Sequence, residues 1–406
     1  MNAAEIPLFP PSFLIGAATA AHQIEGNNVN ADLWDAEWTR NSIFREPSGD
    51  TCDSYHRYGE DISLLAAAGL DTYRFGVEWA RIEPEDGFFS RAELDHYRRV
   101  AATCHEHGVT PMITLQHFSS PKWFARRGGW KDAGAAERFA RFAERVAAHL
   151  GDLVPWVCTI NEANISALGH GEIAGGAYLG TSDGSVDLSR DDRAAPLGGF
   201  PNRRVEVMAR AHVLAVEAYK SVRSDVQMGW TLALLDLQAV DGGEELRDEK
   251  RRVSQLDFLD VSRNDDFVGV QTYSRAVIGP EGEVRLPEGT PQMQTGWEVY
   301  PEALGNTVRL AAEHSGRPVF VTENGVGTND DEQRIAVTSS ALESLRACID
   351  DGIDVRGYLH WTLLDNFEWM AGYAMTFGLI EVDRETFERK PKPSLAWLGR
   401  VAKARR

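Results

Sequence analysis

Eight times along this chain a short β-rich run is followed by a longer stretch with helical apolar spacing. That alternation limits the possible folds more than any single motif does. The runs are FLIGAATA (13–20), DTYRFGV (71–77), TPMITLQ (110–116), WVCTI (156–160), VQMGWTLAL (226–234), FVGVQT (267–272), PVFVT (318–322) and VRGYLHW (355–361). The helical stretches fall at 56–69, 91–108, 135–151, 203–223, 244–259, 301–315 and 331–351, with a last one near 394–404. Short strands separated by helices imply parallel pairing with right-handed crossovers. Eight such units without a Pro/Ser-rich linker predict an α/β fold, a closed (β/α)8 TIM barrel, forming a single domain over residues 1–406. No G-x-G-x-x-G or P-loop opens any helix, which argues against nucleotide binding.

Charge narrows the partners. With 42 basic and 61 acidic side chains the formal charge is −19, which speaks against nucleic acid or an anionic membrane as a partner. The four cysteines, Cys52, Cys104, Cys158 and Cys348, show no CxxC spacing, so they read as reduced, buried small apolar residues. The opening MNAAEIPLFPPSF lacks a basic and then an apolar region, and no apolar run approaches the ~20 residues of a membrane span. A cytoplasmic protein is the expectation. No cofactor is indicated, and no sequence feature bears on oligomeric state.

In such a barrel, chemistry collects at the C-terminal ends of the strands. Those ends carry Gln23 and Glu25, then Arg74 with Glu78 and Trp79, then Gln116 and His117, then Asn161 and Glu162. Later strands lead to Tyr273, to Glu323 and Asn324, and to His360 and Trp361 with Glu368 and Trp369 beyond. The fifth strand ends blandly on Leu232 and Ala233. Carboxylates and amides can grip vicinal hydroxyls while indole faces stack on a sugar ring, so this rim describes a small-molecule carbohydrate site. Glu162 and Glu323 close opposite strands, and a pair of carboxyls is what glycoside hydrolysis requires.

Blander readings exist for several of these residues. Most of the 11 tryptophans must be packing residues. His105 and His107 at a helix end suit the helix dipole better than a metal, since no third ligand is evident. Arg74 and Glu78 fall on one face of an extended strand, so Glu78 could simply neutralise Arg74. The segment 177–200, with SRDDR at 189–193, reads as a solvated, mobile lip.

The motifs FLIGAATAAHQIEG, YRFGVEWARIEPEDG, LQHF, TINE, GVQTY, VTENG, HWTLLDNFEW and FGLIEVD run in order through essentially the whole chain. In this the chain resembles the family 1 glycoside hydrolases, retaining β-glycosidases on a (β/α)8 barrel. The resemblance implies that Glu162 is the general acid/base and Glu323 the nucleophile. It implies that Gln23, His117, Asn161, Glu368 and Trp369 hold the sugar hydroxyls and that Trp361 is the platform under the ring. Arg74 and Tyr273 match the neighbours of the nucleophile and are expected to hold Glu323 ionised at low pKa. Glu162 should instead be raised. The implied substrate is a β-glucoside, with galactosides or fucosides also accepted; a 6-phospho-β-glycosidase or a non-catalytic sugar-binding barrel are the alternatives, and transfer to an alcohol would use the same residues.

The chain departs from the family pattern at four places. Phe118 and Ser119 stand where Trp-Asp is usual, Ala163 where Pro follows the acid/base, Ala233 where Asn is common, and Gln271-Thr272-Tyr273 where Asn-Tyr-Tyr is usual. Without proline, the segment after Glu162 regains a backbone N–H and a free φ, so a more mobile loop is expected there, with Glu162 still in place.

Overall fold

The computed structural model describes residues 8–168 and 203–404; the segment 177–200 therefore lies outside the described residues. The β-rich runs become β1 (Leu14–Ala18), β2 (Thr72–Gly76), β3 (Thr110–Gln116), β4 (Trp156–Ile160), β5 (Gln227–Gly229), β6 (Thr231–Ala233), β7 (Val268–Gln271), β8 (Val319–Asn324) and β9 (Val355–Trp361). All nine lie in one parallel sheet, in the order β5-β4-β3-β2-β1-β9-β8-β7-β6. Its two edges, β5 and β6, are halves of one run divided at Trp230, so the sheet closes on itself as a (β/α)8 barrel.

The single strand expected at 226–234 is thus split, and the reason is a side chain. The buried Trp230 indole turns into the helix layer, donating to Ser262 Oγ at 2.7 Å and stacking on His212 at 4.6 Å. Its carbonyl still accepts from Gly269 N at 2.9 Å, which keeps the two halves tied to β7.

Strand side chains alternate between two cores, as period-two geometry demands. Ala18, Met112, Cys158, Phe320, Leu359 and Trp361 point into the barrel. Their neighbours Ala17, Ile113, Val157, Val321 and Tyr358 pack outward against the helices. Gly357 is required by this interior: a Cβ there would come within 2.5 Å of the Phe320 ring and 2.7 Å of Leu14 O. The four cysteines are free and buried.

Local signals explain where the helices begin and end. Ser90 caps helix Arg91–Glu106 by accepting from Glu93 N, and Asp330 caps Asp331–Asp350 by accepting from Glu332 N and Gln333 N. Gly69 and Gly316 stop their helices with φ of 106° and 67°, backbone that glycine adopts freely.

Two expectations fail here. The stretch 244–259 is not one helix; a π-helical turn at Arg252–Leu256 separates Glu244–Arg251 from Asp257–Val261. Within this turn, Ser254 O accepts from Asn164 Nδ2 at 2.9 Å. Nor, among the described residues, does a loop follow β4 directly. Helix Ala163–Leu168 starts at once, with Ser166 N bonded to Glu162 O at 3.0 Å. Alanine, buried and the best of helix formers, serves as its first residue.

Smaller sheets unannounced by the pattern flank the barrel. One joins Asp236–Ala239, Arg275–Gly279 and Gly282–Glu283; the other is the hairpin Ile380–Val382 with Arg389–Pro391. The hairpin is locked to helix Ser54–Ala68 by a fully buried pair, Arg389 Nε to Asp61 Oδ1 at 2.8 Å, with Ser54 Oγ donating to Asp61 Oδ2 at 2.7 Å. No described helix is long and apolar enough to cross a membrane.

Removing one partner of a buried pair leaves a stranded charge. Arg389→Met is therefore expected to destabilise the fold by about 3–5 kcal/mol, read as a lower midpoint in urea denaturation. An unchanged midpoint would show that the pair is not needed.

Candidate active site

The centre of the barrel mouth is Arg74, brought there by register: Ala18 pairs with Arg74 on one side and with Trp361 on the other. Arg74 is fully buried, and the side chains it holds lie on β3, on β8 and just past the end of β4. Its Nε donates to Thr114 Oγ1 at 2.9 Å, Nη1 to Glu323 Oε1 at 2.7 Å and Nη2 to Asn161 Oδ1 at 2.6 Å. A charge this deep is tolerable because its donors are used in well-formed, charge-assisted bonds.

From Arg74 the orientation of the neighbouring amides follows. Asn161 Oδ1 also accepts from Thr231 Oγ1 at 3.1 Å and from Gln271 Nε2 at 2.8 Å. Its Nδ2 must then face His117, and it lies 3.2 Å from His117 Nε2. Burial and the Arg74 charge hold the His117 pKa well below the ordinary imidazole value, so the ring is neutral. With Nε2 accepting, the hydrogen sits on Nδ1. That buried Nδ1–H has no partner among the described residues. It is a donor waiting for an acceptor.

Glu323 collects three kinds of donor: Arg74 and Gln271 Nε2 (2.8 Å) on Oε1, and the Tyr273 hydroxyl (2.8 Å) on Oε2. The expectation of a depressed pKa is nonetheless corrected. Burial raises the carboxyl, against the pull of Arg74 and Tyr273. Glu162 is the contrast. It sits between β4 and the following helix at φ 42°, and its main-chain N–H donates to Thr231 Oγ1 at 3.2 Å, while no described residue donates to its carboxyl. Burial and the neighbouring Glu323 push its pKa well above the ordinary value, with a smaller contribution from Glu368. Between the two, Glu323 is the one equipped to ionise first.

A second group faces this one. Trp361 Nε1 donates to Glu368 Oε1 at 3.2 Å, and burial pushes the Glu368 carboxyl up to about 8. Gln23 Nε2 donates to Phe367 O at 2.8 Å and Asn366 Oδ1 at 3.2 Å, leaving its buried Oε1 without a partner. The His117 ring is parallel to Trp361 at 5.7 Å and to Trp369 at 6.0 Å, and Phe118 meets Trp369 edge-on at 5.3 Å. Phe118 and Trp369, like Glu162, hold φ in the left-handed region, at 65° and 49°. Such backbone is costly for side-chain-bearing residues and gathers at functional sites.

All ten residues expected at the site, Gln23, Arg74, His117, Asn161, Glu162, Tyr273, Glu323, Trp361, Glu368 and Trp369, thus belong to one mouth. Other strand-end residues do not. Glu78 does not neutralise Arg74: the strand ends at Gly76, and Glu78 instead accepts from Ala80 N and from Ser119 Oγ at 2.8 Å. Glu25 turns to Arg81 at 2.9 Å, while Asn324 accepts from Tyr358 and His360 lies beneath the rim near Phe377 O. The sequence reading missed three contributors. Gln271 was noted only as a departure; Asn366 fixes Gln23; and His22, bonded to Glu37 at 2.6 Å and Asn28 at 3.0 Å, stacks on Trp369 at 5.9 Å. Gln271 was recoverable, since it is the last residue of its strand, two before Tyr273; the others depend on folds of the rim.

The family model for glycosyl hydrolase family 1 matches residues 6–267 and 253–406. Beta-glucosidase A of Acetivibrio thermocellus is 30% identical, covering 97% of this chain and 98% of its own. A bifunctional beta-D-glucosidase/beta-D-fucosidase of Bifidobacterium breve is also 30% identical, with the same coverage of 97% and 98%. Among solved structures, a crystal structure of a β-glycosidase is 50% identical with a TM-score of 0.88, covering 97% of each chain. A Thermotoga maritima β-glucosidase in complex with glucoimidazole is 26% identical with a TM-score of 0.87, covering 98% of this chain and 99% of that one.

The raised carboxyl of Glu368 makes a stability prediction. Its folded pKa, about 8, lies above the ordinary 4.5, so the folded state holds the proton more tightly. Its contribution is complete below the unfolded pKa and is lost as pH rises through the folded one. Glu368→Gln should flatten the fall in stability across that window, by up to about 1.4 kcal/mol per pH unit. Urea midpoints at several pH values measure this; parallel wild-type and variant curves would refute it.

Proposed function

We propose residue roles for a chain that belongs to glycosyl hydrolase family 1 and is an O-glycoside hydrolase. It is a retaining β-glycosidase that removes terminal non-reducing β-D-glucosyl residues, with β-fucosides or β-galactosides as further substrates, by double displacement. Glu323 is the nucleophile and Glu162 the general acid/base, carried by the whole chain as one catalytic domain. One observation supports this division most: Glu323 has Arg74, Gln271 and Tyr273 as donors, whereas Glu162 has a raised carboxyl with none from a described residue.

Glu162 enters the cycle protonated and gives its proton to the leaving oxygen while Glu323 attacks the anomeric carbon. The covalent glycosyl-enzyme is then hydrolysed by water, from which Glu162 takes a proton. The sugar lies over the Trp361 indole. His117 Nδ1–H donates to one hydroxyl, and the Gln23 Oε1 and Glu368 carboxyl oxygens accept from others, which supplies partners for the two orphaned buried atoms. Trp369 closes the same subsite, and Asn161 lies beside the 2-hydroxyl, where hydrogen bonding strengthens in the transition state. A 6-phosphorylated sugar is disfavoured, because Glu368 offers a phosphate no positive charge and the mouth already carries the negative Glu323. The enzyme works on a small-molecule glycoside in the cytoplasm, without a metal or cofactor in these steps.

Glu323→Gln is expected to lower turnover of an aryl β-glucoside by on the order of 10⁴-fold or more; near-normal activity would remove Glu323 from the mechanism. Glu162→Gln should slow substrates with poor leaving groups by about 10²–10⁴-fold while barely touching formation of the glycosyl-enzyme from a dinitrophenyl glucoside. Because the acid must be protonated, wild-type kcat/KM should fall as pH rises through the raised pKa of Glu162. That basic limb should vanish in Glu162→Gln, and its persistence would assign the limb to another group.

A further inference from the structure

Gln271 is one of the side chains bonded to Glu323 to which the cycle above gives no separate step. It stands on β7 opposite Glu323 on β8 and is buried. Its Nε2 donates both to Glu323 Oε1 and to Asn161 Oδ1, each at 2.8 Å. Two acceptors on one nitrogen fix the amide's orientation, and its buried Oε1 has no partner among the described residues. An unsatisfied buried acceptor is costly, so a residue serving only to fill space here would be better apolar.

The two oxygens of Glu323 are not equivalent. Oε1 holds both Arg74 and Gln271, whereas Oε2 holds only Tyr273. The oxygen that attacks must release donors to accept the anomeric carbon, and Oε2 has less to release. Oε1 then remains in place as the carbonyl oxygen of the glycosyl ester. We propose that Gln271, together with Arg74, is a donor to that ester carbonyl and serves the second displacement more than the first. This rests on Glu323 being the nucleophile.

The electron flow gives the asymmetry. In the second displacement a water oxygen bonds to the anomeric carbon as the bond from carbon to Oε2 breaks. The electron pair of that bond returns to the Glu323 carboxyl, and the water proton goes to Glu162. Charge grows on Oε1 as this happens, so a donor placed there lowers the barrier. In the first displacement the carboxylate begins fully charged and loses charge. The same donor then stabilises the starting state at least as much as the transition state, so its loss should spare that half.

The test uses Q271M, similar in size but without a donor, and a dinitrophenyl β-glucoside, whose fast leaving group makes the second displacement limiting. We expect kcat to fall about 10–100-fold, KM to fall with it, and kcat/KM to change less than about threefold. A rapid-mixing burst of dinitrophenolate should grow to one equivalent. Q271N, whose shorter amide cannot reach both acceptors, should show the same split to a smaller degree, and it decides the question if Q271M fails to fold. Equal loss of kcat and kcat/KM without a burst, in either folded variant, overturns the proposal. Trapping the wild-type enzyme with a deoxyfluoro glucosyl fluoride and locating the labelled peptide is a separate control. A label away from Glu323 would sink the nucleophile assignment itself, whatever the kinetics of Gln271.

Discussion

One buried cation organises the mouth of this barrel. Arg74 reaches from β2 to groups on β3, on β8 and just past the end of β4, and each of its contacts fixes the next side chain. Its hold on Asn161 Oδ1 turns Asn161 Nδ2 toward His117, which sets the tautomer of that ring. Its hold on Glu323 gives a carboxylate a counter-charge where water cannot. Thr231, Gln271 and Tyr273 complete the lattice, so the site is rigid for the same reason that it is buried: nearly every polar atom has a protein partner. Among the exceptions at this mouth are three buried atoms with no partner among the described residues, His117 Nδ1, Gln23 Oε1 and Gln271 Oε1. A folded chain tolerates unpaired buried polar atoms where a ligand is to pair them.

Much of the architecture was legible because hydrophobic periodicity is a local property that strands and helices cannot disguise. The runs at 110–116, 156–160 and 355–361 reappear as strands with the same limits. What failed was decided by particular side chains rather than by period. Trp230 breaks a run that reads as uninterrupted, since nothing in VQMGWTLAL says that its indole belongs to the helix layer. Ala163 suggests a loosened loop only if one asks what proline would have fixed; its own burial and helix propensity matter more. Glu78 seemed placed for Arg74 because the strand was extended two residues too far, and once the backbone turns, the i, i+4 argument has no basis.

The site residues were legible as types and places, but their states were not. Which way an amide points depends on neighbours far along the chain, 110 residues apart for Gln271 and Asn161. The same limit applies to Glu323. An adjacent arginine and tyrosine argue for a depressed pKa, yet the burial that brings them together acts in the opposite direction and is stronger. Sequence motifs name the partners of a carboxylate; they do not report how much water is lost in assembling them.

That balance bears on how one mouth can run acid and base chemistry in turn. Three carboxyls, Glu162, Glu323 and Glu368, share one guanidinium, and the raised values of Glu162 and Glu368 both include repulsion from Glu323. The arrangement favours a single negative charge, resting on Glu323 beside Arg74. On the roles proposed above, Glu323 becomes an ester and that charge disappears, and the chief charge–charge reason for Glu162 to keep a proton disappears with it. Arg74 already pulls Glu162 downward, and with Glu323 neutral that pull is unopposed by its neighbour. In that proposal Glu162 is then free to ionise by giving its proton to the departing alcohol, which would leave it as the base for the second displacement. Such a switch would require no conformational change, because the charge that raises the pKa of the acid would itself be consumed by the first bond formed.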